Sequence, residues 1–491
     1  MTEEQQSNRP DKQELKNKER VDRLGSGKIS KLMLEFAIPS IIGLVVNGFY
    51  NIIDSIFLGH ALGTVGQATA TIAMPIMTIS MAVSLLIGQG GNALAALRLG
   101  EGKHDEAERI MGNTFTLTLI ASVICTAVVW LFMDPVLSIS GATEETWESS
   151  HIFMAIIAGG FFFQFFGLGF NNFIRTAGDP NRALYTMVIG TFVCIILNYL
   201  FVMVLDWGVA GSAWATIIGQ AVSAVLMLWY FIFSRKAPFK LRFSQLRLRT
   251  RLVTTTLALG SASFVLQIAA AVVTVILNQQ LGYYGALSAI TSDGALATIG
   301  VVNRIAMFSF FPLLGVAIAA QPIFGFNYGA KNYERVKDTF KVAMIWIMSI
   351  GITFWILIHL FPRQIVNIFG IEPYLLEFTV NALQVQLFLI PLMGLQIIAS
   401  HYFQSSGQPF KSMFLSLTRQ LLYLIPLIYG MPYIITNFGP DLIPLDGLYY
   451  AYPVADFFSV VTATIFMIFE FKKLDAKILA RDLEREKEQA A

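Results

Sequence analysis

The chain has 491 residues, 55% of them hydrophobic and only 13% charged, with a formal net charge of +2 and a mean hydropathy of +0.63. A soluble domain is about one-quarter charged, so the composition excludes one and describes an all-α membrane protein of many spans. The near-zero charge offers no nucleic-acid surface. Cys125 and Cys194 both fall in apolar stretches and are expected as free thiols.

Residues 1–31 form a polar, mixed-charge tail without the apolar core of a signal peptide; a short amphipathic turn is expected near Val21 and Leu24. The first span, 33–59, has Pro39 near its start, where the helix could bend, and Asp54 near its far end. An ionised aspartate in hydrocarbon costs roughly 2.5–3.5 kcal/mol on insertion scales. Asp54 is therefore read as a site for a proton, an ion or a cationic ligand, against a structural acid held near the interface. Gly59, Gly63 and Gly66 supply the turn to span 68–97. Spans 111–133, 151–174, 183–205 and 208–233 follow. In the fourth, Phe161, Gln164 and Phe165 belong to an aromatic run that could line a cation cavity or pack the interior.

Residues 234–252 are basic and separate this N-lobe (32–233) from a C-lobe (253–470) and a charged tail (471–491). The C-lobe spans are 253–280, 295–324, 339–361, 378–403, 412–437 and 446–470, with a glycine-bearing turn at 281–294. Asp456 lies deep in the last and is read as a cavity acid or as the partner of an arginine. Only Arg304 and Arg419 are available within spans. Nothing reads as catalytic: there is no phosphate-binding glycine loop and no metal-ligand spacing. The chain is not expected to be an enzyme.

The positive-inside rule places 31 of the 34 Lys and Arg in the cytoplasm if both termini are cytoplasmic. A multi-pass protein of the cell (inner or plasma) membrane is expected. The halves also echo each other. Phe173–Arg182 matches Tyr402–Lys411 at an offset of 229, and Gly102–Arg109 matches Ala330–Lys337 at about 228. Six spans per half is even, so the repeats should be parallel, related by a pseudo-twofold axis along the membrane normal.

Gln321-Pro322-Ile-Phe-Gly325-Phe-Asn327-Tyr-Gly329 at the end of span 8 resembles the bacterial multidrug and toxic compound extrusion (MATE) family. So do the two Gly-x-Pro turns, the Trp207–Thr216 opening of span 6, and Pro39 fifteen residues before Asp54. The resemblance implies a twelve-helix, two-lobed exporter of small organic cations in exchange for protons or sodium. It implies no cofactor beyond the coupling ion. It also implies a coupling carboxylate at Asp54, a second one where this chain has Asn198, an asparagine where it has Cys194, and a threonine that it keeps as Thr216. The missing hard oxygens favour a proton over sodium. A monomer in membrane lipid is expected. The alternatives are a flippase of lipid-linked or polyanionic cargo on the same fold, and a membrane receptor or scaffold that transports nothing.

Overall fold

The computed structural model describes residue 19 and residues 21–140, 142–234, 237–438 and 443–490; within these, the side chains of 50–56, 58–64, 67, 243, 485 and 488–490 are not described. Among the described residues there is no strand. The helices are α1 (Ile29–Gly100), α2 (His104–Leu131), α3 (Met133–Ile139), α4 (Glu144–Gly159), α5 (Phe161–Thr176), α6 (Pro180–Asn198), α7 (Gly208–Phe233), α8 (Thr250–Ala286), α9 (Ser292–Gly329), α10 (Tyr333–Leu360), α11 (Pro362–Asn367), α12 (Leu376–Gln386), α13 (Ile390–Ser405), α14 (Pro409–Leu417), α15 (Ile425–Phe438) and α16 (Pro444–Ala490). A π-helix continues α6 over Tyr199–Val204, and a second joins α14 to α15 over Thr418–Leu424. Helices dominate because a helix satisfies its own backbone polar groups where no water can.

Among the described residues, ten helical segments are long and apolar enough to cross a membrane. Two bent pairs, Glu144–Gly159 with Phe161–Thr176 and Pro373–Gln386 with Ile390–Ser405, bring the number to twelve. The spans expected at 151–174 and 378–403 are these two pairs, bent by 51° and 46°. The first breaks at the Gly159–Gly160 pair. In the second, Pro391 lacks the N–H that would continue the preceding helix.

Across the turn expected at Gly59–Gly66 the backbone stays helical, from Ile29 through Gly100. Straight, this element would measure about 108 Å. Yet both its ends meet the same turn of α9. Gly25, four residues before α1, lies against the Phe326 ring, and Gly100 lies against the Phe326 carbonyl. The element therefore folds back between its membrane-crossing limbs, Ile29–Phe49 and Ala68–Gly100. The turn expected at 281–294 is shorter, occupying 287–291. There Thr291, at φ 67°, caps α9 by accepting from Gly294 N at 3.2 Å.

The repeat is written in the turns. α5 ends with Gly178 N donating to Arg175 O and Asp179 N to Ile174 O; α13 ends with Gly407 N donating to Gln404 O and Gln408 N to Phe403 O. Gly178 and Gly407 sit at φ 78° and 77°, the left-handed position a glycine takes at a helix C-terminus. A proline then opens the next helix in each lobe. The other pair of turns behaves alike: Lys103 N donates to Arg98 O, and Asn332 N to Asn327 O. Gly102 at φ 76° therefore corresponds to Lys331 at φ 57°. The offset is 229 here too, which corrects the sequence register of about 228 by one residue.

The lobes meet about a two-fold axis. Gly100 and Gly329 are 229 apart, as are Leu97 and Phe326. A methyl group on Gly100 would collide with the Phe326 carbonyl oxygen, and one on Gly329 with the Leu97 carbonyl oxygen. A contact and its reciprocal are the mark of two-fold symmetry. The same closeness recurs where the second limb of α1 crosses α8, at Gly90 against the Thr256 carbonyl and Gly260 against the Leu86 carbonyl. These crossings gather near the end of the molecule that carries the basic turns, called here the basic end.

Candidate functional site

In the N-lobe, α6 and α7 cross closely because each offers a glycine. A methyl on Gly190 or on Gly219 would lie 2.7 Å from the other's carbonyl oxygen. Along α6 the next residues on that face, at steps of four, are Cys194 and Asn198; along α7 Thr216 lies three before Gly219. Asn198 Nδ2 donates to Cys194 Sγ at 3.7 Å, and Cys194 Sγ donates to Thr216 Oγ1 at 4.0 Å. Asn198 is 1% exposed, and all three are buried. The three residues that the resemblance groups with Asp54 thus form one buried chain. It ends where α6 passes into the π-helix Tyr199–Val204, a distortion frequent at functional sites. The tight turn that follows, with Asp206 at φ 53° and Gly208 at φ 57°, is clamped by Phe201 stacked on Trp207 at 4.7 Å. Asp54 itself lies outside the described side chains. Pro39 is buried on the same helix, with Ser40 Oγ donating to the Phe36 carbonyl at 2.8 Å.

In the C-lobe the second π-helix carries Arg419. Its Nε donates to Asp456 Oδ1 at 2.6 Å, its guanidinium lies over the Phe310 ring at 6.0 Å, and its other nitrogen approaches Met393 Sδ at 4.0 Å. Asp456 is 1% exposed, and its Oδ2 finds no partner among the described residues. The pair answers which arginine serves Asp456. Arg304 does not: it is exposed and makes no ion pair among the described residues.

The aromatic run of α5 is core. Phe161 and Phe165 are fully buried and stacked on each other at 5.9 Å. A second ladder, Phe162, Phe166, Phe170 and Phe173, climbs the adjacent face at spacings of 6.0, 4.1 and 5.2 Å. The cavity reading for Phe161 and Phe165 is thereby corrected, since spacings of three and four residues pack such rings against one another. Gln164, half-buried, accepts from Ser80 Oγ at 3.2 Å and ties α5 to α1.

Two further polar nodes escaped the sequence reading. In the N-lobe, Thr176 Oγ1 donates to Asn92 Oδ1 at 2.7 Å and Arg175 donates to Asn172 Oδ1 at 2.5 Å. In the C-lobe, Gln321 Nε2 contacts His401 Nδ1 at 2.8 Å and donates to Gln404 Oε1 at 3.0 Å. Asn92, Asn172 and Arg175 become Gln321, His401 and Gln404 at an offset of 229. The Gly-x-Pro alignment already pairs Arg175 with Gln404 and, one residue upstream, Asn172 with His401; Asn92 and Gln321 lie on other helices outside it. Among the described residues no three His, Cys, Asp or Glu converge as a metal site.

A model of the MatE family matches residues 39–200 and 263–429, leaving the basic connector between its halves. Among curated proteins the chain is 24% identical over 382 residues to the probable multidrug resistance protein YoeA of Bacillus subtilis (strain 168), covering 76% of this chain and 80% of that one. It is 22% identical over 449 residues to the multidrug export protein MepA of Staphylococcus aureus (strain N315), covering 89% and 96%. Among solved structures, an outward-facing multidrug resistance MATE family transporter of the MOP superfamily superposes with a TM-score of 0.85 at 23% identity, over 92% of this chain and 98% of that one. With twelve spans in two lobes and the family match over most of its length, the chain is a multi-pass membrane transporter belonging to the MatE family.

Proposed function

We propose that this transporter exports amphipathic organic cations in exchange for protons, with its basic end and both termini in the cytoplasm of the cell membrane. Its relatives are named as multidrug export and resistance proteins, and the distribution of Lys and Arg supports the orientation. The observation that carries the choice of ion is the Asn198–Cys194–Thr216 chain. Sodium is a hard cation that wants several oxygen ligands, whereas a thiol is a soft group. An amide and a thiol at the positions where the resemblance implies a second carboxylate and an asparagine suit the exchange of one proton.

In this reading Asp54 takes up a proton from outside, which removes its charge and its attraction for the cargo. Release of that proton inward restores the carboxylate for the next cation. Pro39 supplies the point at which the first limb of α1 can bend, since a proline removes one helical hydrogen bond. The Arg419–Asp456 pair serves as a C-lobe brace rather than as the coupling acid. The transporter works as a monomer, each lobe being complete in one chain.

The test is efflux of a fluorescent organic cation from proteoliposomes under separately imposed gradients. A pH gradient without sodium should drive transport, and a sodium gradient at constant pH should not. A strict sodium requirement with no response to pH would overturn the proposal. Asn198→Asp should add a dependence on sodium or slow turnover. Counterflow of the cation separates export from a flippase of polyanionic cargo, which would show none, and from a receptor, which would move nothing.

A further inference from the structure

The connector between the lobes is strapped onto α2 by side chains that serve its backbone. Asn113 Oδ1 accepts from Arg249 N at 2.7 Å while its Nδ2 donates to Arg247 O at 3.1 Å. Thr116 Oγ1 donates to Leu246 O at 2.7 Å. Glu108, buried on α2, accepts from Lys240 N at 2.9 Å and Gln245 Nε2 at 3.2 Å, and lies 3.3 Å from Arg242 Nε. Gly112 leaves room for the strap: a methyl there would stand 2.5 Å from the Gln245 carbonyl oxygen. Phe239 is fully buried against Phe231 at 5.9 Å.

Between strap and helix lies a cavity of about 390 Å³ lined by Arg109, Asn113, Ser244, Gln245, Arg247 and Arg249. Three arginines line it, and no acidic residue does. Arg109, Arg247 and Arg249 make no ion pair among the described residues. Glu108, the residue before Arg109, is already occupied by the three donors named above. Asn113, itself buried, fixes the backbone of two of the arginines, so the points from which their side chains reach are set before any ligand arrives. Arg249 is also the residue before the first turn of α8, whose unpaired N–H groups and dipole favour negative charge.

We infer that this cavity binds a phosphate group, and that it does so between the lobes' first shared elements. Planar guanidinium groups match phosphate oxygens in two-point hydrogen bonds. Arg109 stands on an N-lobe helix, and Arg247 and Arg249 lead into the first C-lobe span. A phosphate held by all three ties the strap to both. The chemistry is shared by the headgroup of an anionic phospholipid and by a soluble phosphate, and the experiment below separates the two.

The probe is a fluorophore on Ser244→Cys in the full-length protein, with Cys125 and Cys194 replaced by serine. The protein is reconstituted with brominated phosphatidylglycerol or brominated phosphatidylcholine, with and without inorganic phosphate. Quenching by phosphatidylglycerol should exceed that by phosphatidylcholine. The combination Arg109→Gln, Arg247→Gln and Arg249→Gln should weaken the anionic lipid's effect by about tenfold or more. Resistance to inorganic phosphate at millimolar concentration identifies the lipid headgroup. Displacement by inorganic phosphate alone identifies a soluble phosphate, and both results support the site. A charge-matched control, Lys341→Gln, Lys472→Gln and Lys473→Gln, removes three exposed cations elsewhere on the basic end and should change nothing. Equal quenching by both lipids with no effect of phosphate would overturn the inference. So would an equal loss in the control. Circular dichroism and elution volume confirm that each variant is folded before it is scored.

Discussion

The reciprocal crossing of Gly100 and Gly329 gives the sharpest mechanical prediction. A methyl group at either position meets a carbonyl oxygen of the other lobe, Phe326 for one and Leu97 for the other. These are backbone atoms in packed helices and cannot swing aside. Overpacking of this kind costs about 1–3 kcal/mol. Ala gains about 1 kcal/mol over Gly in a helix interior, but Gly100 and Gly329 are the last residues of their helices, so little of that gain is available. The cost falls only on the state in which the lobes touch at the basic end. With a net penalty of about 2 kcal/mol, Gly100→Ala should lower the ratio of touching to parted lobes about 30-fold. Gly329→Ala should do the same, because the two contacts are related by symmetry. Spin labels on Asp105→Cys and Asp338→Cys, both exposed beside the seam, report the change by pulsed electron resonance as a shift to longer distances. Gly167→Ala is the control, since a methyl there meets nothing within 4 Å. Unchanged distances in both seam variants, or a shift as large in the control, would refute the reasoning.

Other outcomes follow from individual contacts. Asp456→Ala strands Arg419 beside a buried hole and should cost about 3–5 kcal/mol; Arg419→Met with Asp456→Met should recover most of it, as read by thermal unfolding in detergent. Lys331 holds φ 57° where its counterpart is Gly102, so Lys331→Gly should stabilise by about 1 kcal/mol. Loss of stability in the same unfolding assay would contradict the assignment. Asn113→Ala removes both hydrogen bonds that pin the Arg247–Arg249 backbone. Limited trypsin cleavage after these arginines should then speed up roughly tenfold, in proportion to local opening; an unchanged rate would mean the strap is held elsewhere.

The spans were legible because hydropathy reads a constraint the bilayer imposes on every segment. The breaks were legible only in part. Gly159–Gly160 and Pro391 are visible breakers, but nothing in the sequence fixes bends of 51° and 46°, which depend on the neighbours each half packs against. The repeat was visible through glycine and proline, the residues whose backbone needs leave a mark. Its true register at the second turn pair was hidden, because Lys331 occupies a glycine-like conformation without being glycine. Asn198, Cys194 and Thr216 were singled out through the family resemblance, and their meeting in one chain depends on the close crossing of α6 and α7, which the sequence does not fix. Phe161 and Phe165 could not be assigned, since a ring facing a cavity and a ring facing a core have the same periodicity. Arg419 rather than Arg304 pairs with Asp456 for a tertiary reason: the π-helix Thr418–Leu424 turns Arg419 toward α16.

The central claim is that one N-lobe carboxylate couples proton movement to export, and Asp54→Asn tests it most directly. The substitution keeps the side chain's shape and fixes it neutral. Purified wild type, Asp54→Asn and Asp456→Asn are compared side by side in liposomes, with labelled cation efflux driven by a pH gradient. The account predicts that Asp54→Asn stays folded and inserted but loses pH-driven efflux, while Asp456→Asn keeps transporting at reduced stability. Wild-type transport by Asp54→Asn beside a dead Asp456→Asn would move the coupling site to the Arg419–Asp456 pair and contradict the account.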